Sequence, residues 1–248
     1  MRGFDPTTYG ERTASEYDRL VTLNPAVAPG EEIAETLAGL AGGGTALELA
    51  IGTGRVALPL VARGVEVHGI DASPAMVAKL REKPGGDAIP VTMGDFADVG
   101  VDGRYPLIYL VFNTFFALLT EDDQQRCMRN VAAHLTDDGA FAVEGFVFDT
   151  SLYERDQRIT VTHVGLDEVK LDAARHDPAN QRIDAQQILI SETGIKLFPV
   201  CLRYVHADQL DEMADGAGLV LRERWGGWDR RPFDDSSRSH VSIYVRRS

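Results

Sequence analysis

Cysteine is scarce: two residues in 248, Cys127 and Cys201, in different segments and at no metal-ligand or redox spacing. They are expected to be buried or free thiols rather than a disulfide or a metal site. Long apolar runs are missing too, so nothing predicts a transmembrane helix. The opening "MRGFDPTTYGERTASEYDRL" lacks the apolar stretch a secretory signal needs, and a soluble, cytoplasmic protein is expected. Basic residues are in deficit, 25 Lys and Arg against 38 Asp and Glu, for a formal charge of −13. A field of that sign repels phosphates and argues against nucleic acid or an anionic membrane as partner. There are no internal repeats and no low-complexity linkers. No acids cluster as a magnesium site would require, because "EDD" at 121–123 is better explained by the positive end of a helix dipole.

What is present is a chain that is 44% hydrophobic, enough for one sizeable α/β domain with or without an insert. "GEEIAETLAGL" (30–40) puts Ile33, Leu37 and Leu40 on one helical face, and Gly42-Gly43-Gly44 stops it. Strands follow at "TALELA" (45–50), "VEVHGID" (65–71), "IPVTMGDF" (89–96), "YPLIYLVFN" (105–113) and "AFAVEGF" (140–146). The helices between them are signed by a cap at Ser73 before Pro74, and by Thr120 before "EDDQQRCMRNVAAHL" with Gly139 after its end. A short helix over 55–63 tolerates Pro59 because that residue falls near its first turn. Strand–helix alternation of this kind predicts a doubly wound, mostly parallel α/β sheet.

From 158 to 205 the period changes to two, with turns at Asp177-Pro178-Ala179-Asn180 and Glu192-Thr193-Gly194. An inserted antiparallel β-meander of about four strands is expected, followed by one helix, "ADQLDEMADGAG", and a terminal β-hairpin. The expected organisation is a core over 1–156 with an N-terminal helical cover, an inserted subdomain over 157–205, and a completing segment over 206–248 that brings the sheet to seven strands.

Gly52-Thr53-Gly54-Arg55-Val56-Ala57 satisfies G-x-G-x-x-A, a pattern associated with dinucleotides. Its surroundings are wrong for a pyrophosphate, which favours bare amides and no carboxylate. Glu48 ends the first strand, Asp71 the second and Asp95 the third, so three acids converge on the crevice at the carboxyl ends of the strands. Asp71 alone suits a ribose in either case. Glu48 and Asp95 suit a ligand with an ammonium group, a positive sulfur and an adenine amino group: S-adenosylmethionine (SAM). Glycines at 52 and 54 would let such a ligand approach the backbone.

The stretches "ELAIGTGR" (48–55), "GIDASPAMVAKLREK" (69–83), "MGDF" (93–96) and "VFNTFFALL" (111–119) resemble the class I SAM-dependent methyltransferases, in particular small-molecule enzymes of bacterial natural-product pathways. The insert looks like that of the amino-sugar N-methyltransferases. The resemblance implies a Rossmann-like methyltransferase fold, SAM as cofactor and S-adenosylhomocysteine (SAH) as product. It implies that Glu48 and the backbone from Ala50 through Gly52 to Gly54 hold the methionine part. Asp71 would take the ribose, Ala72 and Met76 would lie beside the adenine, and Asp95 would accept from its amino group with Phe96 near. Phe112 and Asn113 would close the site at the methyl group, with Tyr9 and Tyr17 covering it. Ala50 departs from the family pattern, which more often has glycine there.

Methyl transfer from a sulfonium is an in-line displacement, so placing the nucleophile matters most and a base adds to it. Glu144 is the candidate catalytic base, since it interrupts an apolar strand at the end facing the crevice. His163, His206 and His240 are weaker candidates, and Trp225, Trp228 and Phe233 could wall the acceptor. The expected function is transfer to O or N of a small, partly apolar metabolite in secondary metabolism, with the insert as lid or homodimer contact. Alternatives are a SAM-binding cyclase without net methyl transfer and a nicotinamide-dependent oxidoreductase, the latter disfavoured by Glu48 and Asp95. A nucleic-acid methyltransferase is opposed by the charge and by "FNTF".

Overall fold

Apolar runs that cannot face water become neighbouring strands here, and polar alternation becomes a second sheet. The structure is a computed structural model that describes residues 1–5, 7–24 and 26–247. Two short helices, α1 (Thr8–Thr13) and α2 (Tyr17–Thr22), precede α3 (Gly30–Ala41), which ends on Gly42 in the left-handed conformation. Then β1 (Ala46–Leu49), α4 (Ala57–Val61), β2 (Val67–Asp71), α5 (Pro74–Arg81), β3 (Val91–Met93), β4 (Tyr105–Leu110), α6 (Glu121–His134) and β5 (Leu135–Phe146) alternate as expected. The caps are those the sequence signals: Ser73 accepts from the Met76 amide at 3.2 Å and Thr120 from the Asp123 amide at 3.1 Å.

After β5 come β6 (Gln157–Val164), β7 (Glu168–Asp177), β8 (Arg182–Ser191) and β9 (Gly194–Arg203), a separate antiparallel sheet in chain order. Next, α7 (Ala207–Gly216) leads to β10 (Leu219–Trp225) and β11 (Ser239–Arg246), and these two strands complete the large sheet. Its order is β10-β11-β5-β4-β1-β2-β3, with β1 through β5 parallel and β11 antiparallel to both neighbours. This is the Rossmann-like methyltransferase arrangement.

Apolar side chains fill both faces. Met128, Val131, Phe141 and Tyr244 lie in one buried cluster, and Ile33, Leu37, Leu60 and Ile243 in the other. One boundary differs from the sequence reading: β5 begins at Leu135, directly after α6, rather than at Ala140. Pairing with β4 jumps from Tyr105–Leu135 to Leu107–Ala140, and residues 136–139 form the excursion between. Gly139 sits there because a side chain would meet the Tyr105 carbonyl 3.0 Å away. Cys127 and Cys201 are both free and buried.

Candidate active site

Strand order reverses at β1, which pairs with β2 on one side and β4 on the other. A crevice opens at the carboxyl ends of such strands. Glu48 lies there on β1, only 3% exposed, and its Oε2 accepts from the Tyr109 hydroxyl at 2.9 Å. Burial pushes its carboxyl up to about 8 despite that bond and the nearby Arg55 guanidinium, with Asp71 adding in the same direction. Asp71 ends β2 and is 7% exposed. Its two oxygens accept from the amides of Gly52, at 2.7 Å, and Ser73, at 2.8 Å, which fixes the carboxylate against the glycine turn. Burial raises this carboxyl also, and the backbone bonds oppose the rise.

The turn between β1 and α4 is left-handed at three positions: Ala50 (φ 57°), Gly52 (φ 57°) and Gly54 (φ 76°). The two glycines have different roles. A Cβ on Gly52 would meet nothing nearer than the Ala50 carbonyl at 4.0 Å, so this glycine opens onto free space. A Cβ on Gly54 would sit 2.4 Å from Leu80, so that glycine lets α5 pack closely. Ala50 takes the strained conformation with its side chain present. Beside the turn, Met76 is buried and Ala72 half-buried at the start of α5. Asp95, after β3, accepts from the Ala97 amide at 2.9 Å, and Phe96 next to it is half-buried against the core.

Just past β4 come two consecutive left-handed residues, Phe112 (φ 59°) and Asn113 (φ 62°). The Phe112 amide donates to Glu144 Oε2 at 2.6 Å, which brings the carboxyl end of β5 to that of β4. Glu144 is largely buried, which raises its carboxyl; the Phe112 amide, the Trp228 indole and Arg55 oppose the rise. The indole nitrogen of Trp228 is buried beside it without a well-formed hydrogen bond. Arg55 lies over the Phe112 ring, 5.5 Å from its centroid, and donates to the Ala28 carbonyl at 3.0 Å. One guanidinium therefore faces Glu48, Glu144 and Tyr17.

Tyr9 and Tyr17 meet edge to face, 6.4 Å apart, in the N-terminal helices. Burial raises both phenols, with Asp172 of β7 acting on Tyr9 and with Glu48 and Arg55 acting on Tyr17. The α2 helix is tied to the glycine turn through Asp18, which accepts from the Thr53 hydroxyl and pairs with Lys83, both at 2.6 Å. Phe115 and Phe116 are fully buried in the core. His240 is buried against Ser242, and burial lowers it to about 4; His206 caps α7. His163 pairs opposite Lys170 in the antiparallel sheet, and Trp225 donates to Glu223 at 3.1 Å.

A family model described as a methyltransferase domain matches residues 46–139. The solved CcbJ methyltransferase from Streptomyces caelestis is 40% identical, with 99% of this chain and 100% of that one superposed at a TM-score of 0.93. This chain is a SAM-dependent methyltransferase. A cypemycin N-terminal methyltransferase from Streptomyces sp is 24% identical over 247 residues, covering 98% of this enzyme and 99% of that one. The SAM-bound amino pentose methyltransferase CalS10 from Micromonospora echinaspora shares the fold, with a TM-score of 0.70 at 18% identity over 93% of this chain and 96% of that one. The crevice fits the cofactor. Space stands open above Gly52, Asp71 is fixed beside the turn by the Gly52 and Ser73 amides, and the acids at the strand ends suit a cation where a pyrophosphate would be repelled.

Two members of the site were missed in the sequence. Tyr109 shows in the sequence only as part of an apolar strand, although pairing β1 with β4 sets it opposite Glu48. Asp18 carries no sequence signal, because its partner Thr53 is 35 residues away.

Proposed function

We propose that the enzyme methylates a nitrogen atom of a small, partly apolar metabolite in secondary metabolism. The observation that carries this is Glu144, a second protonatable carboxyl in the same crevice as Glu48, anchored by the Phe112 amide and flanked by the buried Trp228 indole. Bound SAM supplies an electrophilic methyl on a sulfonium. A nitrogen lone pair that took this methyl would displace the sulfur, leaving SAH, and the new ammonium would then need to lose a proton. Glu144, whose carboxyl burial raises and the Phe112 amide anchors, would take it. Phe112 and Asn113, held left-handed, shape the opening that the nucleophile enters. The curated relative acts on a cypemycin N-terminus, and the fold neighbours include a sugar N-methyltransferase; both names favour nitrogen over oxygen.

The test is SAH release with amine acceptors and their hydroxyl counterparts, for wild type and Glu144→Gln. Amines are expected to turn over, with kcat in the variant lower by roughly 10²-fold or more. Turnover of hydroxyl acceptors alone would overturn the nitrogen reading, and an unchanged kcat would remove the base.

The insert serves as lid on one face and docks a second copy on the other. On its outer face Val161, Leu171, Ile188 and Leu197 align across all four strands, as do Val164, Val169, Ile190 and Ile195. Most of this is exposed, Ile195 by 66% and Leu197 by 53%. A flat aliphatic face without charge in its rows is complementary to itself, which is what a two-fold interface requires. Light scattering should give a dimer for wild type and a monomer for a Val161→Glu, Leu197→Glu double variant. A monomeric wild type refutes the contact.

A further inference from the structure

The inner face of the antiparallel sheet carries a charged pair that the fold does not need. Lys170 is 1% exposed, an extreme burial for a lysine. Among the described residues its three donors find only the Thr162 hydroxyl at 3.4 Å and Asp172 Oδ1 at 3.6 Å, both long. Asp172 Oδ1 is itself buried with no hydrogen-bond partner. An ammonium withdrawn from water beside a buried carboxylate oxygen, both this poorly satisfied, is costly even though the Asp172 side chain is itself partly exposed. A replacement of both by apolar residues would serve packing better, so packing does not account for them.

Their position is informative. Across the sheet, Lys170 lies opposite Leu189, and Asp172 opposite Gln187 and, one strand further, Phe198. Leu189 and Phe198 pack against Leu20 and Leu23, so this face is the one turned toward the N-terminal cover. The cover is fastened to the sheet by Lys196 with Glu16, at 2.5 Å, and by Arg19 with Glu168. Asp172 acts on the Tyr9 phenol, Tyr9 touches Tyr17, and Tyr17 faces Arg55 and Glu48. Asp172 is thus within electrostatic reach of Tyr9, whose ring meets that of Tyr17 beside the cofactor crevice.

We propose that Lys170 and Asp172 determine acceptor specificity by gripping a neutral group that both donates and accepts hydrogen bonds, a hydroxyl or an amide, on the acceptor. The donor hydrogen goes to Asp172 Oδ1 and the acceptor oxygen receives from Lys170 Nζ. A carboxylate on the ligand would be repelled by Asp172 and an ammonium by Lys170, so a neutral two-way group is the one chemistry that completes both. The assignment rests on methylation of a small acceptor as proposed above, yet it is read by binding and not by turnover.

The probes are cyclohexylamine, aminocyclohexanol and aminocyclohexanecarboxamide, titrated into the SAH complex and followed by saturation-transfer NMR. The second and third separate the hydroxyl and amide sources. Wild type should bind at least one of them about tenfold or more tighter than cyclohexylamine, as a hydrogen bond to a charged group implies. Asp172→Asn and Lys170→Met should each abolish that preference while the affinity for SAH and for cyclohexylamine stays unchanged. Equal binding of all three probes to wild type, or a preference that survives Asp172→Asn, overturns the proposal. Probes that show the preference but are never methylated would leave this assignment standing and sink the nitrogen-transfer reading instead.

Discussion

Binding of SAH should release a proton, and Glu48 should be its source. In the free enzyme this carboxyl is buried, hydrogen-bonded by Tyr109 and pushed up to about 8. At pH 7 it is therefore ionised in only about one molecule in eleven. A ligand ammonium held at Glu48 requires the charged form, so binding selects it. The apparent Kd should fall nearly tenfold per pH unit from about pH 6, then level off above about pH 8. At pH 7 the penalty is a factor of about eleven, or about 1.4 kcal/mol. The other charged groups facing Glu48 are Arg55, which favours ionisation, and Asp71, which opposes it.

Isothermal titration of SAH in buffers of different ionisation enthalpy reads the proton directly. About 0.9 proton per site should leave at pH 7. Glu48→Gln should abolish both the release and the pH slope, and bind more weakly than wild type above about pH 8. A buffer-independent enthalpy with a flat affinity across this range would refute the argument, because Glu48 would then not meet the ammonium. The same shift gives the sign for stability. A carboxyl raised in the folded state leaves stability intact below its unfolded value and erodes it as pH rises toward about 8, so the free enzyme should melt lower across that window.

Asp71→Ala removes the acceptor of the Gly52 and Ser73 amides as well as a ligand contact, so SAH binding should weaken and the fold lose about 1–3 kcal/mol, measured by calorimetry and chemical denaturation. Ala50→Gly should stabilise by about 0.5–1 kcal/mol, since relief of roughly 1–2 kcal/mol of left-handed strain exceeds the added chain entropy; a lower denaturation midpoint would contradict this. Asp18→Ala frees Thr53 and Lys83 from α2, and stopped-flow displacement should show SAH leaving faster, by about tenfold or less because Asp18 is exposed.

Legibility followed the range of the interactions. Local signals were plain: Ser73 and Thr120 cap where their spacing says, and Gly42 ends α3. The period change at 158 marked the second sheet because alternation survives when one face is wetter than the other. The excursion at 136–139 was invisible, since only pairing with β4 reveals that Leu135 is already in the strand. Gly54 illustrates a different limit: a glycine in a ligand-binding pattern reads as a ligand contact, yet here it accommodates Leu80 from a helix 26 residues on. Lys170 reads in the sequence only as part of a period-two strand, and its burial depends on Leu20 and Leu23 packing across that face of the sheet.

Strain in this molecule has a location, and the location supports the functional reading independently of any motif. Among the described residues eight non-glycine residues have positive φ, and three of them, Ala50, Phe112 and Asn113, lie just past the carboxyl ends of β1 and β4. Those two strands are neighbours at the point where the sheet reverses direction. Each left-handed side-chain-bearing residue costs on the order of 1 kcal/mol, and two in succession persist only where the surroundings over-determine them. At β4 the Phe112 amide is fixed by Glu144; at β1 the turn is fixed by the Gly52 amide on Asp71. In both cases the anchor is an acid near the carboxyl end of a strand, fixed by a backbone amide of the strained turn. Straining the β4 turn with Asn113→Val, a β-branched residue that resists φ > 0, should leave SAH affinity unchanged, because Asp71 and Glu48 are untouched, while lowering kcat as the Phe112 amide is drawn from Glu144. An equal loss in both quantities would mean that the turn supports the cofactor and not the acceptor.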